Sequence, residues 1–239
     1  LKFFIRMKFE TVLSPSLFSQ IENLEDKVVV VIDILRATST ITTILANGAS
    51  AVIPVREESI AKEYKAKGYL VGGERGGETI VGFDFGNSPF QYRQEIVKGQ
   101  EIVLTTTNGT KCIEMSAHAY QVVIGSFLNL DKVVEHINYL NKDSVLFCAG
   151  WKDKVNLEDS LFAGAVACSF MDKELDDSTL LCIDAYNAAK GNLFKALQNS
   201  NHFQRLASKG VTKDIEYCCE TNMIDSVGVL KEGKIILGS

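Results

Sequence analysis

Apolar and polar positions along this chain fall into short, sharply bounded blocks. Residues 28–33, Val-Val-Val-Val-Ile-Asp, form an unbroken apolar run that ends on a carboxylate. A Val-rich run of this kind predicts a strand buried on both faces. The stretch 37–47 behind it predicts a helix stopped by Gly48. The alternation then continues, with strands predicted at 51–55, 69–71, 101–106, 121–124 and 144–148. Helices are predicted at 57–67, 89–98, 109–117, 131–140 and 157–171. Gly68 closes the 57–67 helix, and Asn87 or Ser88 is placed to cap the one that begins at Pro89. Strand and helix in strict turn predict an α/β fold: three α/β/α layers around a largely parallel or mixed sheet. Residues 226–237 read differently, as a C-terminal β-hairpin turning at Glu232-Gly233. The pattern is least regular over 172–225, where helices at 188–199 and 202–209 are the reading. The whole of 1–239 is taken as one α/β domain, with two lobes sharing one cleft as the variant.

Bulk properties narrow the classes. The chain has 239 residues, 46% of them hydrophobic, which suffices for one large core. A formal net charge of −5 gives no broad surface for a polyanion, so a nucleic-acid partner is not expected. No apolar run approaches a membrane span. The segment 1–9 is broken by Lys2, Arg6 and Lys8 and does not read as a signal peptide, so a cytoplasmic location is expected. The six cysteines form no C-x-x-C pair and read as small buried residues. The three histidines stand at no ligand-like spacing, which argues against zinc and leaves a hard, oxygen-bound cation as the candidate metal.

Open α/β sheets bind ligands at the carboxyl ends of their strands, so the chemistry is sought there. Asp33, Arg36 and Thr38 follow the first apolar strand. An acid and a guanidinium at that place suit a metal and an oxyanion; the plainer alternative is an Asp paired with the Arg or capping the next helix. Asp33 is followed by Ile34 and Leu35, so the D-x-D signature of haloacid-dehalogenase-like phosphatases is absent. The segment 72–89 holds six glycines and three acids, Glu74, Glu78 and Asp84, with Arg75 among them. It is too long for a plain connector, and its glycines let backbone N–H groups approach an anion. Glu74 is the favoured acid of this segment. Asp84 serves as a further metal candidate, or as a turn residue holding backbone groups of Asn87 or Ser88. Thr107, Asn108, Gly109 and Thr110 lie between a strand and a helix, where unpaired N–H groups attract anions; a simple helix cap is the alternative. Glu158 and Asp159 open another helix, as second-group metal ligands or as acids favoured by the helix dipole. Cys148 has no evident His partner and is not expected to act as a nucleophile.

Taken in order, the motifs V-I-D33-I-L-R36-A-T-S-T, G72-G-E74-R75, G82-F-D84-F-G-N-S-P89, T105-T-T-N-G-T110 and C148-A-G150 closely resemble the 2-phosphosulfolactate phosphatase family, over roughly residues 5–237. The resemblance implies a Mg²⁺-dependent acid phosphatase that converts (2R)-O-phospho-3-sulfolactate to (2R)-3-sulfolactate and phosphate. In methanogens that step belongs to coenzyme M biosynthesis; in bacteria the role can be sulfolactate formation. Asp33, Arg36 and Glu74 are then the candidate catalytic residues. Arg36, Thr38, Arg75 and 107–110 are the candidate substrate contacts, and Asp33, Glu74, Asp84, Glu158 and Asp159 the candidate Mg²⁺ ligands. The partner would be a compact polyanion bearing phosphate, sulfonate and carboxylate, with Arg75 or Arg36 reading the second anion. A homo-oligomer is left open. The rival readings are a non-catalytic sensor of a phosphorylated metabolite and a broader hydroxyacid or sugar phosphatase.

Overall fold

The computed structural model describes residues 7–238, so most of the N-terminal segment discussed above, residues 1–6, lies outside the described residues. The strands are β1 (Lys8–Val12), β2 (Val28–Ile32), β3 (Ala51–Pro54), β4 (Leu70–Arg75), β5 (Glu78–Thr79), β6 (Glu101–Thr105), β7 (Gln121–Gly125), β8 (Ser144–Cys148), β9 (Glu174–Leu175), β10 (Gly228–Lys231) and β11 (Lys234–Leu237). They form one sheet in the order β5-β4-β6-β3-β11-β10-β7-β2-β8-β1-β9. The helices are α1 (Ala37–Ala46), α2 (Glu58–Ala66), α3 (Gln94–Val97), α4 (Gly109–Met115), α5 (Leu130–Leu140), α6 (Leu157–Ala167), α7 (Asp177–Ala189), α8 (Leu193–Leu197), α9 (Asn201–Ala207) and α10 (Thr212–Cys218). The architecture is the mixed α/β sandwich that the alternation implies.

The all-apolar β2 shows why the sheet must be covered twice. Val28, Val30 and Ile32 point into one core with Phe127, Phe162 and Phe170, while Val29 and Val31 point into the other with Ile41, Ile44 and Phe147. Each such side chain contributes roughly 1.5–3 kcal/mol on burial. Neither face could be left in water. The hairpin β10–β11 is central and not peripheral. It pairs antiparallel with β7 on one side and with β3 on the other, and so joins two half-sheets that are parallel apart from the β4–β5 pair. Its turn places both Glu232 and Gly233 at positive φ, 51° and 77°, the backbone of a two-residue hairpin turn.

Several elements differ from the sequence reading. The 89–98 helix is split into a 3-10 turn at Pro89–Gln91 and the short α3. Tyr92 between them is fully buried, its hydroxyl donating to Gly86 O at 2.7 Å, and that burial takes it out of helical register. No side chain caps the turn at Pro89; Ser88 donates instead to Asp214 Oδ1 at 3.1 Å. The strand at 69–71 runs on to Arg75 and folds back into β5, so Gly72, Gly73 and Glu74 belong to a strand and not to a loop. β1, β5, β9 and α10 were not anticipated. In place of a helix at 188–199 the chain forms α7 and α8, with Asp176 and Asn192 as their side-chain caps.

Candidate active site

A cleft opens at the carboxyl ends of β2 and β6, between the β4–β5 turn, the β8–α6 connection and α9; Asp33, Arg36, Glu74, Asn87, Thr107, Asn108, Trp151, His202 and Arg205 are among the residues that line it. Asp33 leaves β2 into the start of α1. Its Oδ1 accepts the Ala37 N–H at 3.3 Å and its carbonyl accepts the Thr38 N–H at 3.0 Å. Thr38 Oγ1 in turn accepts the Asp33 N–H at 3.1 Å, so Thr38 is wholly buried and fixes Asp33 without facing the cleft. Oδ2 lies over the first residue of α4. A Cβ on Gly109 would stand 2.9 Å from that oxygen and 2.5 Å from Ala37 Cβ, so only glycine lets α4 approach this closely. Burial pushes the Asp33 carboxyl up to about 6, with the Ala37 N–H opposing the rise and Glu74 and Glu158 adding to it.

The other acids divide by what their oxygens touch. Glu74 accepts the Thr107 N–H at 2.8 Å and the Gly77 N–H at 2.6 Å, clamping the β6–α4 turn to the β4–β5 turn. Asp159 accepts the Ile34 N–H at 2.9 Å and the Gly150 N–H at 3.0 Å, tying the end of β2 to the end of β8. Asp84 stands outside the cleft, bonded to the Val71 N–H at 2.9 Å and to Lys65. It does not hold Asn87 or Ser88. Glu158 has no exposed surface; Oε1 bonds His202 Nδ1 and Oε2 has no partner.

The cations divide the same way. Arg36 follows a cis Leu35–Arg36 peptide, is buried, and pairs with Asp214 of α10, not with Asp33. Arg75 is turned away from the cleft by bonds to Glu74 O at 2.8 Å, Arg56 O at 2.9 Å and Thr105 Oγ1 at 2.9 Å. The guanidinium that does face the cleft is Arg205. Its Nη2 lies 2.7 Å from His202 Nε2 and its Nη1 donates to Gly76 O at 3.2 Å. A guanidinium only donates, so Nε2 accepts and the imidazole proton sits on Nδ1, toward Glu158. Arg205 Cζ also lies 4.7 Å from the centroid of the Trp151 ring. Thr110 closes its own turn, donating its hydroxyl to Thr106 O at 2.7 Å and its N–H to Thr106 Oγ1 at 3.1 Å. Asn108 starts α4 without a side-chain cap bond and lines the cleft with Thr107.

Three buried side-chain polar atoms among the described residues lack a hydrogen-bond partner: Asn87 Oδ1, Glu158 Oε2 and Arg205 Nε. Two belong to cleft residues and the third stands behind His202. Each such atom costs roughly 1–3 kcal/mol unless something satisfies it, so their convergence marks a ligand-binding site. Sequence reasoning missed Asn87, His202, Arg205 and Asp214. His202 and Arg205 lie three apart on a predicted helix, one face of one turn, and that was the available signal.

The two ends of the chemistry are now visible: an α/β scaffold of the enzyme kind, with buried acid and guanidinium groups gathered at its strand ends. Comparison with known proteins specifies it. The family model described as 2-phosphosulpholactate phosphatase matches residues 12–233. The chain is 41% identical over 218 residues to a "Probable 2-phosphosulfolactate phosphatase" of Caldanaerobacter subterraneus, covering 88% of this chain and 90% of that protein. It is 41% identical over 213 residues to one of Thermotoga maritima, covering 89% and 93%. With one of Clostridium acetobutylicum the identity is 37% over 238 residues, covering 96% and 100%. The chain belongs to the 2-phosphosulfolactate phosphatase family, and is an enzyme of the phosphatase class. No helix among the described residues is long and apolar enough to cross a membrane.

Proposed function

We propose that the cleft hydrolyses (2R)-O-phospho-3-sulfolactate to (2R)-3-sulfolactate and phosphate, with Mg²⁺ as cofactor, in the cytoplasm. The observation that carries this reading is the convergence of Asp33, Arg36, Arg205 and two unpartnered buried atoms, Asn87 Oδ1 and Arg205 Nε, on one strand-end cleft, with Glu158 Oε2 behind His202, in a chain of this family.

Mg²⁺ is ordinarily held by one or two carboxylates, with water and substrate oxygens completing its octahedron. Of the five acids considered, Glu74 and Asp159 have both oxygens engaged by backbone N–H groups, and Asp84 stands elsewhere. Asp33 with Oδ2, and Glu158 with its unpartnered Oε2, fit the need; they are the residues that would hold the ion. Among the described residues no group of three or more Asp, Glu, His or Cys side chains is arranged to hold a metal ion. When bound, Mg²⁺ would offset the phosphate charge and polarise its oxygens. The chain's own groups do the rest. Arg36, aimed by Asp214, and the start of α4 at Asn108 grip the phosphate. Glu74 keeps the turn before α4 in place. Water adds to phosphorus, the bond from phosphorus to the C2 oxygen of sulfolactate breaks, and the proton passes to the departing oxygen.

The test is phosphate release from synthetic phosphosulfolactate, with Mg²⁺, after rigorous chelation, and after Mg²⁺ is restored. Turnover that is lost and regained supports the reading. Full turnover after chelation removes the metal from it, and no release with Mg²⁺ present removes the substrate.

A further inference from the structure

Arg75 has its donors engaged by Glu74 O, Arg56 O and Thr105 Oγ1, so the anion beyond the phosphate needs another reader. We propose that Arg205, held by a Glu158–His202 pair and by the Trp151 ring, is the specificity residue that binds the anionic end of the substrate distal to the phosphate. The inference rests on the hydrolytic reading above and deepens it.

Arg205 enters the cleft from α9, whereas Asp33 and Arg36 enter from the end of β2, so the two guanidiniums arrive on different walls. Arg36 is neutralised by Asp214. Arg205 makes no carboxylate pair among the described residues: its partners are the Gly76 carbonyl, His202 Nε2 and an aromatic face. Its positive charge is therefore uncompensated by a direct ion pair. Its Nε–H is buried and has no acceptor. Nε–H and an outer Nη–H form a two-donor edge, which matches two oxygens of a sulfonate or a carboxylate. His202 is the positioning residue: its Nδ1–H is anchored on the fully buried Glu158, which fixes Nε2 as the acceptor that orients Arg205.

The experiment measures binding of (2R)-3-sulfolactate, the product without phosphate, to the intact protein by titration calorimetry with Mg²⁺ present. Lactate supplies the carboxylate alone and hydroxyethanesulfonate the sulfonate alone. The account expects Arg205→Gln to weaken sulfolactate binding tenfold or more, with the weakening repeated on whichever single-anion probe carries the contacted group. His202→Ala should weaken it comparably, and His202→Gln, which restores an acceptor near the Nε2 position, should recover most of the loss. In turnover, Arg205→Gln should lower kcat/KM for phosphosulfolactate at least tenfold more than for a phosphate monoester lacking both other anions. Unchanged sulfolactate affinity in Arg205→Gln overturns the proposal, as do equal losses on both esters or failure of the wild-type protein to bind sulfolactate. If the wild type binds sulfolactate through Arg205 but releases no phosphate, the hydrolytic reading fails while the recognition site stands.

Discussion

Asp33→Asn separates a functional acid from a structural one. In the unfolded chain Asp33 ionises near the ordinary carboxylate value of 3.8, and in the folded, metal-free protein near 6, chiefly through burial. Between those pH values the folded state binds more protons than the unfolded state, so stability falls as pH rises. Above the folded value the full penalty is present. A difference of about two units at 1.36 kcal/mol each sets a ceiling of about 3 kcal/mol. Asparagine has nearly the same shape, keeps an oxygen for the Ala37 N–H, and never ionises. Chelated Asp33→Asn should therefore unfold at higher urea than wild type at pH 7, by up to that ceiling. The gap should close as pH falls toward 4. With Mg²⁺ supplied, the same variant should lose turnover by on the order of 10²-fold or more, as expected when a charge at the reacting centre is removed. The assays are urea unfolding across pH 4–7 and phosphate release at pH 7. A variant that is less stable at pH 7 and turns over normally would refute the reasoning, because it would make Asp33 a cap for α1 and nothing more.

Other substitutions test how the cleft is held. Glu74→Gln keeps one acceptor but turns an amide N–H₂ toward Thr107 or Gly77 N–H; it should lose roughly 1–3 kcal/mol in thermal or urea unfolding and raise KM, and an unchanged KM would show that the turn it clamps does not shape the substrate site. Arg75→Ala should lower kcat/KM equally on phosphosulfolactate and a simple phosphate ester, since its bonds go to Arg56, Glu74 and Thr105; a loss selective for phosphosulfolactate would restore it as a reader of the second anion. Cys148→Ser should retain most of its activity, because burial pushes the thiol well above its ordinary range and leaves no thiolate for attack; a phosphocysteine trapped by rapid quench would overturn this.

The scaffold was legible because its signals are local. An all-apolar β2 can only be a doubly buried strand, and Glu232-Gly233 at positive φ is a turn that announces itself. The hairpin's central position was not legible, because strand order depends on pairings with β3 and β7, far away in sequence. The site was readable in part. Acids at strand ends could be found, but their division into ties and free groups could not, since Glu74 and Asp159 differ from Asp33 only in which distant backbone N–H groups reach them. Arg205 and His202 lay in the least periodic region, and their meaning comes from Glu158, Trp151 and Gly76 on other elements.

The most direct measurement is a crystal structure of the protein with Mg²⁺ and (2R)-3-sulfolactate. The account predicts the ion on Asp33 and Glu158 oxygens and the ligand in the strand-end cleft, with a sulfonate or carboxylate on the Arg205 edge. Ligand seated elsewhere, such as the groove between α2 and α4 lined by Ile60 and Ile113, would contradict it. So would an ion held by Glu74 and Asp159 in place of their backbone partners.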